Sequence, residues 1–266
     1  MSLMEAIILG ALQGITEFLP VSSSGHLVLL QMVFGISEPV LLFDTMVHVG
    51  TLVAVFVVLR QNILAILRRI IQPVTGFLVL ATIPTVIAAL LFKDRIETAF
   101  ASGAFLGFAF LFTALALLIS EYLSGGGGPA KSAGRTYMTL LDALVIGLCQ
   151  AVALVPGVSR SGLTLSGGLS LGLDRELTAR FSFLMSIPAI LGALALQVKD
   201  LAEGVGVGGI GAGPLIAGTL TAAFTGFFAV KFMLKIVKER SLKGFAAYVA
   251  VLGTLTLVDR FVTHLV

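Results

Sequence analysis

Residues 13–26, which read QGITEFLPVSSSGH, place a carboxylate, several hydroxyls and an imidazole in one short stretch that a proline interrupts. Gln13 and Glu17 lie four residues apart, so on a helix their side chains share one face. A carboxylate at this place is a candidate ligand for Mg²⁺ or Ca²⁺, or a candidate general base, and Gln13 is a neutral supporting ligand. The stretch therefore holds parts of a site that could bind a metal ion or move a proton.

Hydroxyl groups and an imidazole follow in the same stretch. Ser22, Ser23 and Ser24 offer nucleophiles, and His26 offers a group that transfers protons near neutral pH. Each also has a plainer interpretation, because serines ahead of a helix are common N-caps and a lone histidine is often a buried hydrogen-bonding residue. Taken together, these groups contain the parts for phosphoryl transfer.

A second broken stretch, residues 156–164, reads PGVSRSGLT and supplies positive charge. The guanidinium of Arg160 can hold two phosphate oxygens at once. Helices are predicted to begin near Leu27 and near Leu163, so their N-terminal N–H groups and dipoles favour an anion at the same place. Ionisable groups at membrane depth are costly, which makes Glu17 and Arg160 functional candidates, with a purely structural ion pair as the alternative.

Asp44 and His48 form a further candidate pair, one helical turn apart. In one interpretation they extend the site or relay protons. In the other they are a local pair near the membrane interface.

The elements that must position these residues are apolar. The chain has 266 residues, 58% of them hydrophobic and 12% charged, and its mean hydropathy is +1.08, which is typical of a polytopic helical membrane protein. A net charge of +3 is too small to suggest nucleic-acid binding, and the single cysteine, Cys149, excludes an internal disulfide. Six stretches are long enough to cross a bilayer: 40–59, 77–92, 103–120, 181–198, 213–231 and 244–259.

Two further apolar segments, 6–34 and 139–172, are interrupted by proline and glycine and are predicted to form re-entrant hairpins or discontinuous helices. They match each other without a gap at an offset of 137 residues, with six identities within sixteen positions. The predicted fold class is an all-α polytopic membrane protein with an internal repeat. Its divisions within a single membrane domain, 1–266, are repeat one 1–123, a polar linker 124–136 and repeat two 137–266.

The two halves are predicted to insert with opposite orientation, because one hairpin and three crossings in each half give an inverted-topology repeat. Loops 60–75 and 232–243 are rich in Arg and Lys and fall on one side, which the positive-inside rule assigns to the cytoplasm. The mouth of hairpin 6–34 then faces outward, and hairpin 139–172 enters from the cytoplasm. Their tips are expected to meet near the bilayer midplane and to form one site.

Both motifs resemble those of the undecaprenyl-diphosphate phosphatases of the bacitracin-resistance type. The first family signature has Glu or Gln, three residues, then Glu, and runs through Pro-Val-Ser-Ser to Gly-His, as QGITEFLPVSSSGH does. The second, Pro-Gly-x-Ser-Arg-Ser-x-x-Thr, is matched by PGVSRSGLT. The resemblance covers essentially the whole chain. Carried over residue by residue, the family's site falls on Gln13, Glu17, Ser22, Ser23, His26, Ser159, Arg160, Ser161 and Thr164.

What this resemblance implies is a phosphatase of the bacterial cytoplasmic membrane that converts undecaprenyl diphosphate to the monophosphate. Such an enzyme recycles the lipid carrier for cell-wall synthesis, confers bacitracin resistance and depends on a divalent cation, Mg²⁺ or Ca²⁺. The expected catalytic residues are Glu17, Ser23, His26 and Arg160. The expected phosphate-binding residues are Ser22, Ser159, Arg160, Ser161 and Thr164, and the expected metal ligands are Glu17 and Gln13.

The mechanism is open at this level. Ser23 attacks the terminal phosphorus in one hypothesis, with His26 or Glu17 removing its proton, and His26 itself or a metal-bound water is the nucleophile in the others. The competing class is a transporter or flippase for a lipid phosphate or a small anion, because paired broken helices are also a transporter architecture. The expected partners are a polyprenyl diphosphate and membrane lipids, with a homodimer as an open alternative, and the site is expected to open to the outer, periplasmic side.

Overall fold

The computed structural model describes residues 1–36, 40–102, 105–126, 134–202 and 210–263. Over these residues the chain forms twelve α-helices and a π-helical turn, and it forms no β-strand. The elements are α1 (Leu3–Thr16), α2 (Ser23–Val33), α3 (Leu41–Val58), α4 (Arg60–Arg68), α5 (Pro73–Leu91), α6 (Lys93–Ser102), α7 (Leu106–Leu123), α8 (Leu140–Val152), α9 (Arg160–Ser170), α10 (Arg175–Ala202), α11 (Ala212–Glu239), α12 (Lys243–Val258) and the π-helical turn Asp259–Thr263.

Six of these helices, α3, α5, α7, α10, α11 and α12, are long and apolar enough to cross a membrane. Each coincides with one of the six stretches predicted from the sequence, so the prediction of an all-α, multi-pass membrane protein is confirmed. The basic residues that were assigned to loops lie largely on helices instead. They occupy α4 and the last turns of α11, because both segments continue their helical hydrogen bonding into the charged sequence.

Both interrupted segments fold as two short helices separated by a break. The chain leaves α1 after Thr16 and enters α2 at Ser23, and it leaves α8 after Val152 and enters α9 at Arg160. With 14 and 13 residues, α1 and α8 are too short to span a bilayer. The segments are therefore discontinuous, as predicted.

The predicted starts of the second helices, near Leu27 and Leu163, are wrong by about one turn. Each helix begins directly after a serine, because that serine's hydroxyl accepts a hydrogen bond from a backbone N–H in the first turn. The caps are Ser22 and Ser159.

The internal repeat is visible in the packing. Helix α1 lies against α11 of the other half, and α8 lies against α5. At Gly10 there is no room for a Cβ because the carbonyl of Gly218 faces it, and at Gly147 the carbonyl of Ala81 fills the same place. Both members of the second contact are displaced by 137 residues from those of the first, with the order of the halves exchanged. The boundaries 1–123, 124–136 and 137–266 stay a prediction, and residues 127–133 of the linker lie outside the described residues.

Aromatic side chains fix the position of the first break. Phe18, in the turn that follows α1, is fully buried and packs edge-on against Phe183 of α10 with ring centroids 5.3 Å apart. Phe110 of α7 is also fully buried and packs edge-on against His26. Burying rings of this size stabilises the fold by roughly 1.5–3 kcal/mol each. The break between α1 and α2 is therefore held from two sides by long helices.

Candidate active site

The carboxylate of Glu17 is the point at which the two broken segments meet. It is buried at the C-terminal end of α1. Its Oε1 accepts a hydrogen bond of 2.8 Å from Nη2 of Arg160, and its Oε2 accepts hydrogen bonds from the hydroxyl of Ser23 at 2.6 Å and from Nε2 of Gln13 at 2.9 Å. The prediction that residues of both motifs come together is confirmed, and the carboxylate is oriented by donors from both segments.

Ser23 and Arg160 occupy the same structural position in their segments. Each is the first residue of a helix whose cap is a serine, and each is displaced from the other by the repeat offset of 137 residues. Both are only partly buried, with the side chain of Arg160 16% exposed. A hydroxyl and a guanidinium thus reach one carboxylate from two helix N-termini, where unpaired N–H groups and the dipoles favour a negatively charged group.

The two capping serines form matched turns. The hydroxyl of Ser22 accepts a 3.2 Å hydrogen bond from the N–H of Gly25, and the hydroxyl of Ser159 accepts a 3.0 Å bond from the N–H of Gly162. Both capping residues are almost fully buried. These hydroxyls are used in holding the helix starts, and their predicted role in binding phosphate stays a prediction.

Two other predicted phosphate ligands also have internal partners. Ser161 donates to the carbonyl of Leu19 at 2.8 Å and so ties one break to the other. Thr164 donates to the carbonyl of Arg160 at 2.8 Å and lies 2.6 Å from the hydroxyl of Ser182. Both side chains are buried, so their contacts fix the turn that carries Arg160, and phosphate binding by them stays a prediction.

The structure separates the histidines of the site. His26 lies 2.7 Å from the Ser22 carbonyl through Nδ1 and 2.8 Å from the Tyr248 hydroxyl through Nε2. His48 lies closer to the charged cluster, with Nε2 3.5 Å from Oε2 of Glu17. The interpretation of His48 as an extension of the site agrees with this placement.

Three contacting residues were not found from the sequence. Ser182 of α10 accepts a 3.2 Å hydrogen bond from Nη1 of Arg160 through its carbonyl, and Thr113 of α7 accepts one of 3.1 Å from the N–H of Ser159. Tyr248 of α12 contacts His26. Each is a polar residue in an apolar span, which is the one signal the sequence offers, and that signal does not say which residue it will contact.

Gln13 gives the test of whether a divalent cation fits here. Its Oε1 is buried without a hydrogen-bond partner, while its Nε2 donates to Glu17. An amide oxygen beside a carboxylate is a donor set that hard cations use, and Mg²⁺ commonly completes such a set with water and substrate phosphates. Within the described residues there is no group of three or more His, Cys, Asp or Glu side chains able to hold a metal ion. The residues present therefore fit a cation that shares its coordination with a phosphate ligand.

Fold and site together define a multi-pass helical membrane protein with a buried polar site between two broken helices. The family described as "Bacitracin resistance protein BacA" matches residues 6–255. A protein named undecaprenyl-diphosphatase from Carboxydothermus hydrogenoformans is 47% identical over 259 residues, covering 97% of both chains. A relative of the same name from Methanosphaera stadtmanae is 40% identical and covers 97% of this chain and 98% of its own. Undecaprenyl-diphosphatase 4 of Bacillus thuringiensis is 43% identical and covers 98% of both chains. The chain belongs to the BacA family of bacitracin resistance proteins.

Proposed function

We propose that this chain is a membrane phosphatase that hydrolyses undecaprenyl diphosphate to undecaprenyl phosphate and phosphate, and so recycles the lipid carrier for cell-wall synthesis and gives bacitracin resistance. Its support is the name shared by relatives that are 40–47% identical over nearly their whole length. The observation that carries the chemistry is the 2.6 Å hydrogen bond from the Ser23 hydroxyl to Glu17, a carboxylate that also pairs with Arg160.

Substrate binding rests on charge at the two helix starts. A diphosphate brings several negative charges, and the guanidinium of Arg160 with the N-termini of α2 and α9 supplies the positive potential to hold them. The prenyl chain lies between the helices, in the hydrocarbon of the membrane. Six apolar spans place the protein in a membrane, and we assign it to the bacterial cytoplasmic membrane with the site open to the outer side, from the loop charges.

The hydrolysis follows two balanced steps. The oxygen of Ser23 attacks the terminal phosphorus, its proton passes to Glu17, and the anhydride P–O bond breaks to release undecaprenyl phosphate. Water then attacks the phosphoserine, Glu17 takes up a proton of that water, and phosphate leaves as Ser23 regains its proton. Arg160 stabilises the charge that develops on the phosphoryl oxygens in both steps.

A divalent cation, Mg²⁺ or Ca²⁺, would be held by Glu17 and Oε1 of Gln13. When bound, it would neutralise charge on the diphosphate and make the leaving group better. The protein residues set where the phosphate lies, orient the hydroxyl and exclude bulk water from the buried carboxylate.

The transporter or flippase alternative has no support among these relatives, whose names all describe a diphosphatase. A binding site for transport needs Arg160 and the helix ends. It has no use for a serine hydroxyl held 2.6 Å from a carboxylate.

The test is phosphate release from a polyprenyl diphosphate by purified protein in detergent, with and without a chelator. We expect the wild type to release phosphate in a metal-dependent manner and Ser23→Ala to lose this activity while still binding the lipid. Ser24→Ala is the matched control, since Ser24 lies in the same turn but contacts only the Ser22 hydroxyl, at 3.4 Å. Full activity in Ser23→Ala would remove Ser23 as the nucleophile, and no release by folded wild-type protein would overturn the phosphatase itself.

A further inference from the structure

The imidazole of His26 is enclosed by groups that come from three other places in the fold. The Tyr248 hydroxyl, on α12, lies 2.8 Å from Nε2, and the two rings are stacked with an interplanar angle of 15° and centroids 5.7 Å apart. Phe110 of α7 packs edge-on against the imidazole. The carbonyl of Ser22 lies 2.7 Å from Nδ1. Both ring nitrogens are therefore occupied by partners other than Glu17, Ser23 and Arg160.

These partners determine which nitrogen carries the proton. A backbone carbonyl only accepts, so the nitrogen that faces Ser22, Nδ1, must donate. In the neutral ring Nε2 is then a bare acceptor, and the hydroxyl of Tyr248 donates to it. The ring is held in one tautomer and one orientation by its two hydrogen bonds.

The carbonyl that receives the His26 proton belongs to an unusual residue. Ser22 has φ 72° and ψ 92°, and it is the one non-glycine residue with positive φ within the described part of the chain. Such a backbone conformation persists only where surrounding contacts impose it. The carbonyl of Ser22 accepts from the imidazole at 2.7 Å and from the backbone N–H of His26 at 3.2 Å.

The orientation of this carbonyl sets the orientation of the next residue. Ser23 follows directly, as the first residue of α2, and its hydroxyl must reach Oε2 of Glu17 at 2.6 Å. A rotation of the Ser22 peptide would redirect the N–H of Ser23 and displace its side chain. The geometry needed for attack thus depends on a strained turn that His26 closes.

We infer that His26 is a positioning residue that holds the strained Ser22 turn, and that Tyr248 is a second positioning residue that holds His26 in its Nδ1–H tautomer. Neither transfers a proton to the substrate. The activity readouts of this inference rest on the proposed phosphatase function. It assigns to His26 a different role from the proton shuttle expected from the sequence, and it gives Tyr248 a role.

The decisive comparison is His26→Asn against His26→Ala. The asparagine amide nitrogen is attached to Cγ, as Nδ1 is, so it can donate to the Ser22 carbonyl but cannot act as an acid or base. We expect His26→Ala to lower kcat by about 100-fold, the loss typical of a misplaced reacting group, with KM nearly unchanged. His26→Asn should restore most of that loss. Equal inactivity of the two variants would overturn the inference, because it would require a titratable ring.

Tyr248 is tested by Tyr248→Phe, which keeps the stacked ring and removes the hydroxyl. We expect kcat to fall by up to about tenfold, as for the loss of one buried hydrogen bond. The double variant His26→Ala/Tyr248→Phe should be no worse than His26→Ala, since Tyr248 acts through His26. Tyr122→Phe, at an exposed tyrosine of α7, is the matched control and should behave as wild type. Additive losses in the double variant would overturn the role of Tyr248.

A readout independent of turnover is ¹⁵N NMR of histidine-labelled protein, with the His26 signal identified by its absence in His26→Asn. We expect His26 to be neutral with its proton on Nδ1 in the wild type, and Tyr248→Phe to lower the population of that tautomer. A proton on Nε2 in the wild type would overturn the inference. If folded wild-type protein releases no phosphate, the proposed function fails, whereas the tautomer result stands or falls by itself.

Discussion

The breaks of the two halves share one scaffold but carry different chemistry. In both, a serine caps a short helix, and in both the preceding helix approaches a long helix of the other half at a glycine. At the repeat offset of 137 residues, however, Ser23 corresponds to Arg160, and Glu17 corresponds to Leu154. The first break supplies an anion and a hydroxyl, and the second supplies a cation.

This difference explains how a repeat produces a single site. Two copies of Glu17 at the meeting point would repel each other, and two arginines would leave no base. Because only one break has the carboxylate and only the other has the guanidinium, the two form the 2.8 Å ion pair that joins the halves. The matched parts position the backbone, and the unmatched parts carry out the chemistry.

The largest effect is expected from removing the cation of the second break. Arg160→Ala should lower phosphate release by about 10²–10³-fold, because a preorganised donor to the phosphoryl oxygens is lost. It should also lower the free energy of unfolding by about 3–5 kcal/mol, since the buried Glu17 loses its counter-charge. Phosphate release and thermal unfolding in detergent measure the two effects.

Arg160→Lys and Arg180→Ala are the controls for that variant. The lysine keeps the charge, so Arg160→Lys should remain folded while losing much of the activity that needs a planar guanidinium. Arg180 pairs with Glu176 on a partly exposed surface, so its loss should cost about 0–1 kcal/mol. Wild-type turnover in Arg160→Ala would contradict the placement of this residue in the site.

An intermediate effect is expected at the shared glycines, and it should be equal in the two halves. In Gly10→Ala the new Cβ meets the carbonyl of Gly218, and in Gly147→Ala it meets that of Ala81. Backbone atoms cannot move aside as a flexible side chain can, so each variant should lose about 1–3 kcal/mol of stability. Melting temperatures in detergent test this. Gly192→Ala, with open space around its Cβ, should leave the melting temperature unchanged or slightly raised. A large loss at only one of the two shared glycines would show that the halves pack differently.

The smallest effect is expected from Ser161 and its counterpart Ser24. Ser161→Ala removes the hydrogen bond to Leu19 that joins the two breaks, and it should cost about 1 kcal/mol. The counterpart lacks such a bond between the halves, so Ser24→Ala should change the melting temperature less. Equal shifts for the two variants would remove Ser161 as a link between the breaks.

Much of the fold was predictable because hydropathy is a local property. All six spans and both breaks follow from apolar runs and from the positions of proline and glycine. The helix starts at Ser23 and Arg160 were placed a turn too late, since the sequence does not say which of several serines will act as the cap. The meeting of Glu17 with Arg160 was predictable from the repeat, whereas the roles of Ser182 and Tyr248 were not, because their contacts depend on how α10 and α12 pack.

The sequence by itself determined the class of this protein, the offset of its repeat, and the residue types available to its site. These depend on composition and spacing, which the chain carries whatever its partners in space. Tertiary structure alone decided which imidazole lies near Glu17, which hydroxyls are consumed by caps, and that Tyr248 fixes the ring of His26. Hydrogen bonds act over about 3 Å and depend on direction, so the packing angles of distant helices determine them.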